Sequence, residues 1–196
     1  MRSFWIAVAL LAVAGLAGCG LLNGADESPA EQPGGGSWMQ DAAAIEGIAI
    51  ADPETLETGH VTGPVNYSIL PPVGGPHSQA WQNCVGDVYA EPIANEHAVH
   101  SLEHGAVWIT YHPSLPADQV EALADRVSGN DKMFLSPFEA LDAPISLQVW
   151  GYQLKVERAD DGRIDEFIRV LRVNAAPEPN ATCSGGVTTT GTAPVA

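Results

Sequence analysis

Asn95-Glu-His97-Ala-Val-His100-Ser-Leu-Glu103-His104-Gly105-Ala-Val-Trp-Ile-Thr-Tyr111 reads as a helix that runs directly into a strand. Histidines spaced by three and then four fall within about 60° of one another on an α-helix, on one face. Asn95 is a good residue to cap such a helix, and Gly105 a good one to end it. Ala106 to Tyr111 then changes to β-branched and aromatic residues, the composition of a strand. Imidazole is the commonest metal ligand among side chains, so a one-sided histidine stripe points first to a metal site.

Working outward, Pro113 and Pro116 break the chain before Ala117 to Val127, where Val120, Leu123, Ala124 and Val127 make an amphipathic helix. Ser128-Gly-Asn-Asp131 is turn chemistry, and Lys132 to Leu135 restarts as a short strand. Ile145 to Val156 reads as one longer strand bulged at Gly151, and Ile164, Phe167, Ile168 and Leu171 mark a final helix. The order strand, helix, strand, strand, helix predicts a single α+β domain with a mixed sheet. Its first two strands run parallel through a crossover. A thioredoxin-like arrangement fits this order, but no C-x-x-C is present, which excludes thiol redox chemistry of that type. The proline- and glycine-rich chain before the histidine helix reads mostly as loop.

The ends of the chain lead to the expectation of a location outside the cytoplasm, in the cell envelope. Met1-Arg2 and the apolar run Phe4 to Leu16 have the form of a signal peptide, too short for a comfortable transmembrane span. Leu16-Ala-Gly-Cys19 looks like a bacterial lipobox, so residues 1–18 are expected to be removed and Cys19 lipidated, with palmitate among its acyl chains. Residues 19–36, with three consecutive glycines, read as a flexible tether. Residues 37–183 form the domain, and the small, threonine- and glycine-rich residues 184–196 are expected to fray.

Charge narrows the partners. The formal net charge is −16, and from Ser3 to Asp125 there is no Lys or Arg, while fifteen Asp and Glu fall between Asp26 and Asp125. Such a surface repels nucleic acid and anionic membrane, so attachment to a membrane is expected through the lipid alone. All six histidines lie in this acidic half, where cations are attracted and protons compete with metal at mildly acid pH. With Cys19 assigned to lipid, Cys84 and Cys183 are expected to form a disulfide; the alternative makes Cys84 a thiolate ligand seven residues after His77.

Other ligand candidates lie around the stripe. His77 ends the stiff loop Pro71-Pro-Val-Gly-Gly-Pro-His77, a suitable way to hold one imidazole over a pocket. Met133 begins the second strand, so parallel pairing would bring it near Gly105. His60, in a polar loop, carries no signal. The expected metal set is therefore His77, His100, His104 and Met133, with His97 a further candidate and Glu103 the carboxylate that orients an imidazole. Imidazole with thioether suits copper better than hard cations, with zinc the alternative ion.

Several of these segments recur together in a known family. Pro-Pro-Val-Gly-Gly-Pro-His77, Trp81-Gln-Asn-Cys84-Val-Gly-Asp-Val-Tyr89, Val99-His100-Ser-Leu-Glu-His104-Gly105, Leu135-Ser-Pro137, Trp150-Gly151 and Ala176-Pro-Glu-Pro179 resemble the bacterial domain-of-unknown-function family numbered 3105. The resemblance covers Gly63 to Cys183. It implies an exported or membrane-attached bacterial protein, often encoded near copper-handling genes. It matches His77, His100 and His104, leaves His97 outside the motif, and has Val85 where the family has glycine.

Three functions are then expected to compete. One is an envelope lipoprotein that buffers copper or delivers it to a partner protein. The second is a structural or partner-binding lipoprotein whose histidines only pack. The third is a zinc hydrolase, because His100-Ser-Leu-Glu103-His104 spells H-x-x-E-H, in which two histidines hold zinc and the glutamate activates water. The helix ends too soon after that motif for such an enzyme. Oligomeric state has no signal in the sequence.

Overall fold

The computed structural model describes residues 37–195; the expected signal peptide, tether and Cys19 lie outside them. Four α-helices, Ser37–Ala44 (α1), Asn95–Glu103 (α2), Ala117–Val127 (α3) and Gly162–Leu171 (α4), accompany a six-stranded mixed sheet. The strands are Ile48–Ile50 (β1), Val85–Val88 (β2), Val107–Tyr111 (β3), Met133–Pro137 (β4), Ile145–Val149 (β5) and Tyr152–Val156 (β6). Their order is β1-β6-β5-β3-β4-β2. The expected α+β architecture is what forms, with β3 and β4 parallel across α3 and with β5 antiparallel to both β3 and β6.

Side-chain alternation along the strands divides the core into two layers. Val107, Ile109, Met133, Leu135, Ile145 and Leu147 face α1, α3 and α4 in one apolar cluster. Trp108 and Phe134 face the other way, stacked at 5.8 Å, and pack with Ala98 and Leu102 of α2. Polar side chains share this second face and are satisfied within the sheet: Trp108 Nε1 donates to Ser136 Oγ at 2.9 Å, and Thr110 Oγ1 to the Ser146 backbone carbonyl at 3.1 Å. The helix that carries the histidines therefore sits alone among the helices on the half-polar side of the sheet.

Three local expectations are corrected. Ile145 to Val156 is two strands of a hairpin and not one bulged strand, because Gly151, at φ +80°, reverses the chain where a bulge would only bend it. Asn95 is the first helical residue and caps nothing; Ala94 occupies the cap position, and Glu96 reaches out to accept the Val65 N–H at 2.7 Å. Residues 184–195 do not fray away from the body. Val187 exchanges backbone hydrogen bonds with Trp81 and Asn83, Gln82 Nε2 donates to the Thr189 carbonyl, and the Gly191 N–H donates to Pro92. Backbone groups make most of these bonds, so composition gave no sign of them.

These residues continue a C-terminal strap that begins at Glu178, whose N–H donates to Glu103 O at 2.9 Å; the strap, residues 178–195, lies over α2 and is fixed at several points. Cys84 and Cys183 are joined by a disulfide, which excludes Cys84 as a thiolate ligand. Lys132 is buried and directs its ammonium at three backbone carbonyls, those of His104 (2.6 Å), Ala181 (2.6 Å) and Pro179 (3.4 Å). It ties the negative end of α2 to the strap.

Gly105 ends α2 with φ +87°, and a Cβ there would meet Ala176 Cβ at 2.9 Å and Val173 Cα at 3.0 Å. Both the backbone conformation and the contact oppose any side chain. Gly105→Ala is expected to destabilise the protein by about 2 kcal/mol, read as a lower urea midpoint at unchanged slope.

Candidate metal centre

Two imidazoles are set by backbone carbonyls before any question of metal arises. The loop before His77 is buried from Pro71 to Gly75, and Tyr67 Oη secures it with a bond to the Pro76 carbonyl at 2.7 Å. His77 Nδ1 donates to the Gly75 carbonyl at 2.8 Å, and His100 Nδ1 donates to the Ser78 carbonyl, also at 2.8 Å. A carbonyl can only accept, so each ring carries its proton on Nδ1 and presents an Nε2 lone pair. This is the way a metal-binding histidine is commonly held.

Those lone pairs converge with a carboxylate and a third imidazole. Ligand atoms of His60, His77, His100 and Glu103 all lie within 4.8 Å of one another. Ring centroids of His60, His77 and His100 are each 4.9 Å apart. His77, His100 and Glu103 are no more than 4% exposed, whereas His60 is exposed. Glu103 Oε2 stands 3.0 Å from His77 Nε2, yet that buried nitrogen has no well-aligned hydrogen-bond partner among the described residues. With the ring proton on Nδ1, two lone pairs face each other there. A cation or a shared proton between them removes the repulsion.

Burial lowers the His77 pKa, against the pull of its Gly75 bond and of Glu178. It pushes His100 down to about 4, assisted by His104, His77 and His60. Burial raises Glu103 to about 6, with Glu178 in the same direction. His77 and His100 are thus neutral at pH 7, the form that binds metal.

The pH consequence follows from where each proton goes. Between pH 6.5 and about 4 the unfolded chain protonates His100 and the folded chain does not, so acid favours unfolding. Burial acts on His77 and His104 in the same sense. Glu103 opposes them between about 6 and 4.5, where the folded chain holds the extra proton. The metal-free protein is expected to lose on the order of 2 kcal/mol from pH 7 to 4, less than the full shifts because solvent reaches the site beside His60. The fall should be steeper in Glu103→Gln, and urea melts across this range would register both effects.

The structure redistributes the residues singled out in the sequence. His77 and His100 belong to the cluster. His104 stands beside them, 4.6 Å from His100 between centroids and 5.3 Å from Trp81, but outside the convergent set, its buried Nδ1 unpartnered among the described residues. His97 faces away and bonds through Nε2 to the backbone of Val195. Met133 pairs with Val107 as the parallel register requires, but its side chain projects to the opposite face of the sheet. It packs there in the α3–α4 core, with Arg172 Nη1 3.5 Å from its sulfur. Glu103 supplies an oxygen to the cluster itself. His60 had no sequence signal; a two-bond bridge carries it in, Val61 N–H donating to His77 O at 2.7 Å and His77 N–H to Gly59 O at 3.1 Å.

Sheet, buried helix and cluster define an α+β protein with a three-histidine, one-carboxylate centre, a donor set able to hold a divalent transition metal. The chain belongs to the family described as "Protein of unknown function (DUF3105)", whose model matches residues 60–185. That span begins at His60 and includes every member of the cluster. No curated protein and no solved structure gives a significant match.

Proposed function

We propose that this chain is an envelope-anchored lipoprotein, attached through Cys19, that binds one copper(II) ion and buffers it or delivers it to a partner. His60, His77, His100 and Glu103 are its ligands. The observation that carries the reading is the 3.0 Å approach of Glu103 Oε2 to the Nε2 lone pair of His77, beside His100, whose Nδ1 is tied to a backbone carbonyl in the same way. Imidazole and carboxylate donors favour copper(II) over the other divalent first-row ions. With Met133 on the far face of the sheet, the set lacks the thioether that would favour copper(I). Zinc is the competitor that the same donors accept, in tetrahedral form.

The H-x-x-E-H hydrolase reading loses support, since His104 is not in the set and Glu103 faces His77 as a ligand would. The same contact favours one other reading, a structural His77–Glu103 pair without metal.

Trp81, 5.8 Å from His100, and Trp150, 6.0 Å from His77, flank the centre and make it visible. Copper(II) titration of the purified protein should quench tryptophan emission to an end point of one ion per chain. Glu103→Gln should lower affinity by more than the hundredfold that loss of an orienting contact brings. Unchanged copper affinity in Glu103→Gln would leave the structural pair as the better account.

A further inference from the structure

We propose that His60 is the exchange ligand of this centre: copper enters and leaves on the side that His60 covers. An acceptor bearing an imidazole takes the ion by displacing His60 first. This rests on the metal reading above and adds how the ion is passed on.

The four ligands are not equivalent. His77, His100 and Glu103 are buried, and the two histidines are locked by their Nδ1 bonds. His60 is exposed, and among the described residues its ring makes no hydrogen bond comparable to those that lock His77 and His100. Its backbone is attached beside the site by the two-bond bridge to His77, within an exposed run from Glu57 to Gly63. A bridge of two bonds outside any sheet opens at far lower cost than a core strand.

On the other sides the centre is closed. The loop through Gly75 and the helix α2 wall it, Trp150 packs against His77, and Trp81 covers His100 and His104. Gly74 has φ +150°, and a Cβ there would lie 3.2 Å from Trp150, so this wall is tightly packed. Entry past His77 or His100 would require the core to move, whereas entry past His60 requires only a loop to lift.

The exchange balances without any added reactant. The neutral imidazole nitrogen of the acceptor donates its lone pair to copper, the bond from copper to His60 breaks, and His60 leaves as neutral imidazole. No electron or proton is transferred. With a net charge of −16 on the chain, a neutral or cationic acceptor is favoured over an anionic one.

Free histidine serves as the probe acceptor. Copper-loaded wild-type protein should transfer its ion at a rate that rises with histidine concentration. His60→Ala should still bind one copper, and should release it faster by about tenfold or more, one coordination bond fewer holding it. His60→Gln should behave alike, which separates the ligand from the loop. Wild-type transfer that is independent of histidine concentration, or equal transfer rates in wild type and His60→Ala, would overturn the exchange role while leaving the site intact. Wild-type protein that binds no copper would instead remove the metal reading, and this inference with it.

Discussion

Replacing His77 and His100 together by alanine is expected to abolish stoichiometric copper binding. Each supplies a donor that no neighbour replaces, and each loss should exceed the ten- to hundredfold of an orienting contact, about ten-thousandfold or more together. His104 cannot compensate without leaving its place beside Trp81, and Met133 is on the wrong face of the sheet. Met133→Leu, which conserves volume, is therefore expected to leave copper affinity unchanged. The pair of variants separates the cluster observed from the one the sequence suggested. Loss of binding in Met133→Leu with retention in the double histidine variant would reverse the assignment.

The largest effect on stability is expected from the disulfide. Cys84 and Cys183 are separated by 99 residues, and closing such a loop is worth about 4 to 5 kcal/mol in the chain-entropy model, usually less in practice. The bridge also anchors the strap between the Lys132 contacts on one side and the Val187 and Thr189 bonds on the other. A Cys84→Ser, Cys183→Ser variant should unfold about 3 to 4 kcal/mol sooner. Its hydrogen exchange should increase first in residues 178–195. Uniform loss of protection, with the strap no more affected than β3, would show that the strap is held without the bridge.

How far the sequence could be read depends on which physical pattern carried each feature. The helix α2 and its glycine stop were plain because their period and chemistry are local. The parallel pairing of β3 with β4 was legible from their order and the helix between them. For Met133, register and face are separate questions. Parallel register does put it level with Val107, but a strand residue's face depends on parity, and Met-Phe-Leu is apolar on both sides, so alternation is silent there. In the sequence Glu103 reads as a supporting residue, because a carboxylate one residue before His104 looks like an orienting partner. Only the fold of the 71–77 loop brings His77 to it. His60 was invisible, since a two-bond bridge between exposed and buried loops leaves no periodic trace. The strap was invisible for a similar reason: small residues that bond through their backbones look the same as small residues that do not.

The central claim is that three imidazoles and one carboxylate hold copper. Electron paramagnetic resonance of the protein loaded with one equivalent of copper(II) tests it most directly. The account predicts a single species of ordinary tetragonal type, with hyperfine structure from coordinated imidazole nitrogens. It also predicts no intense thiolate absorption, and loss of the signal in the His77→Ala, His100→Ala variant. A spectrum of free aqueous copper, or an imidazole-bound spectrum unchanged in that variant, would contradict it.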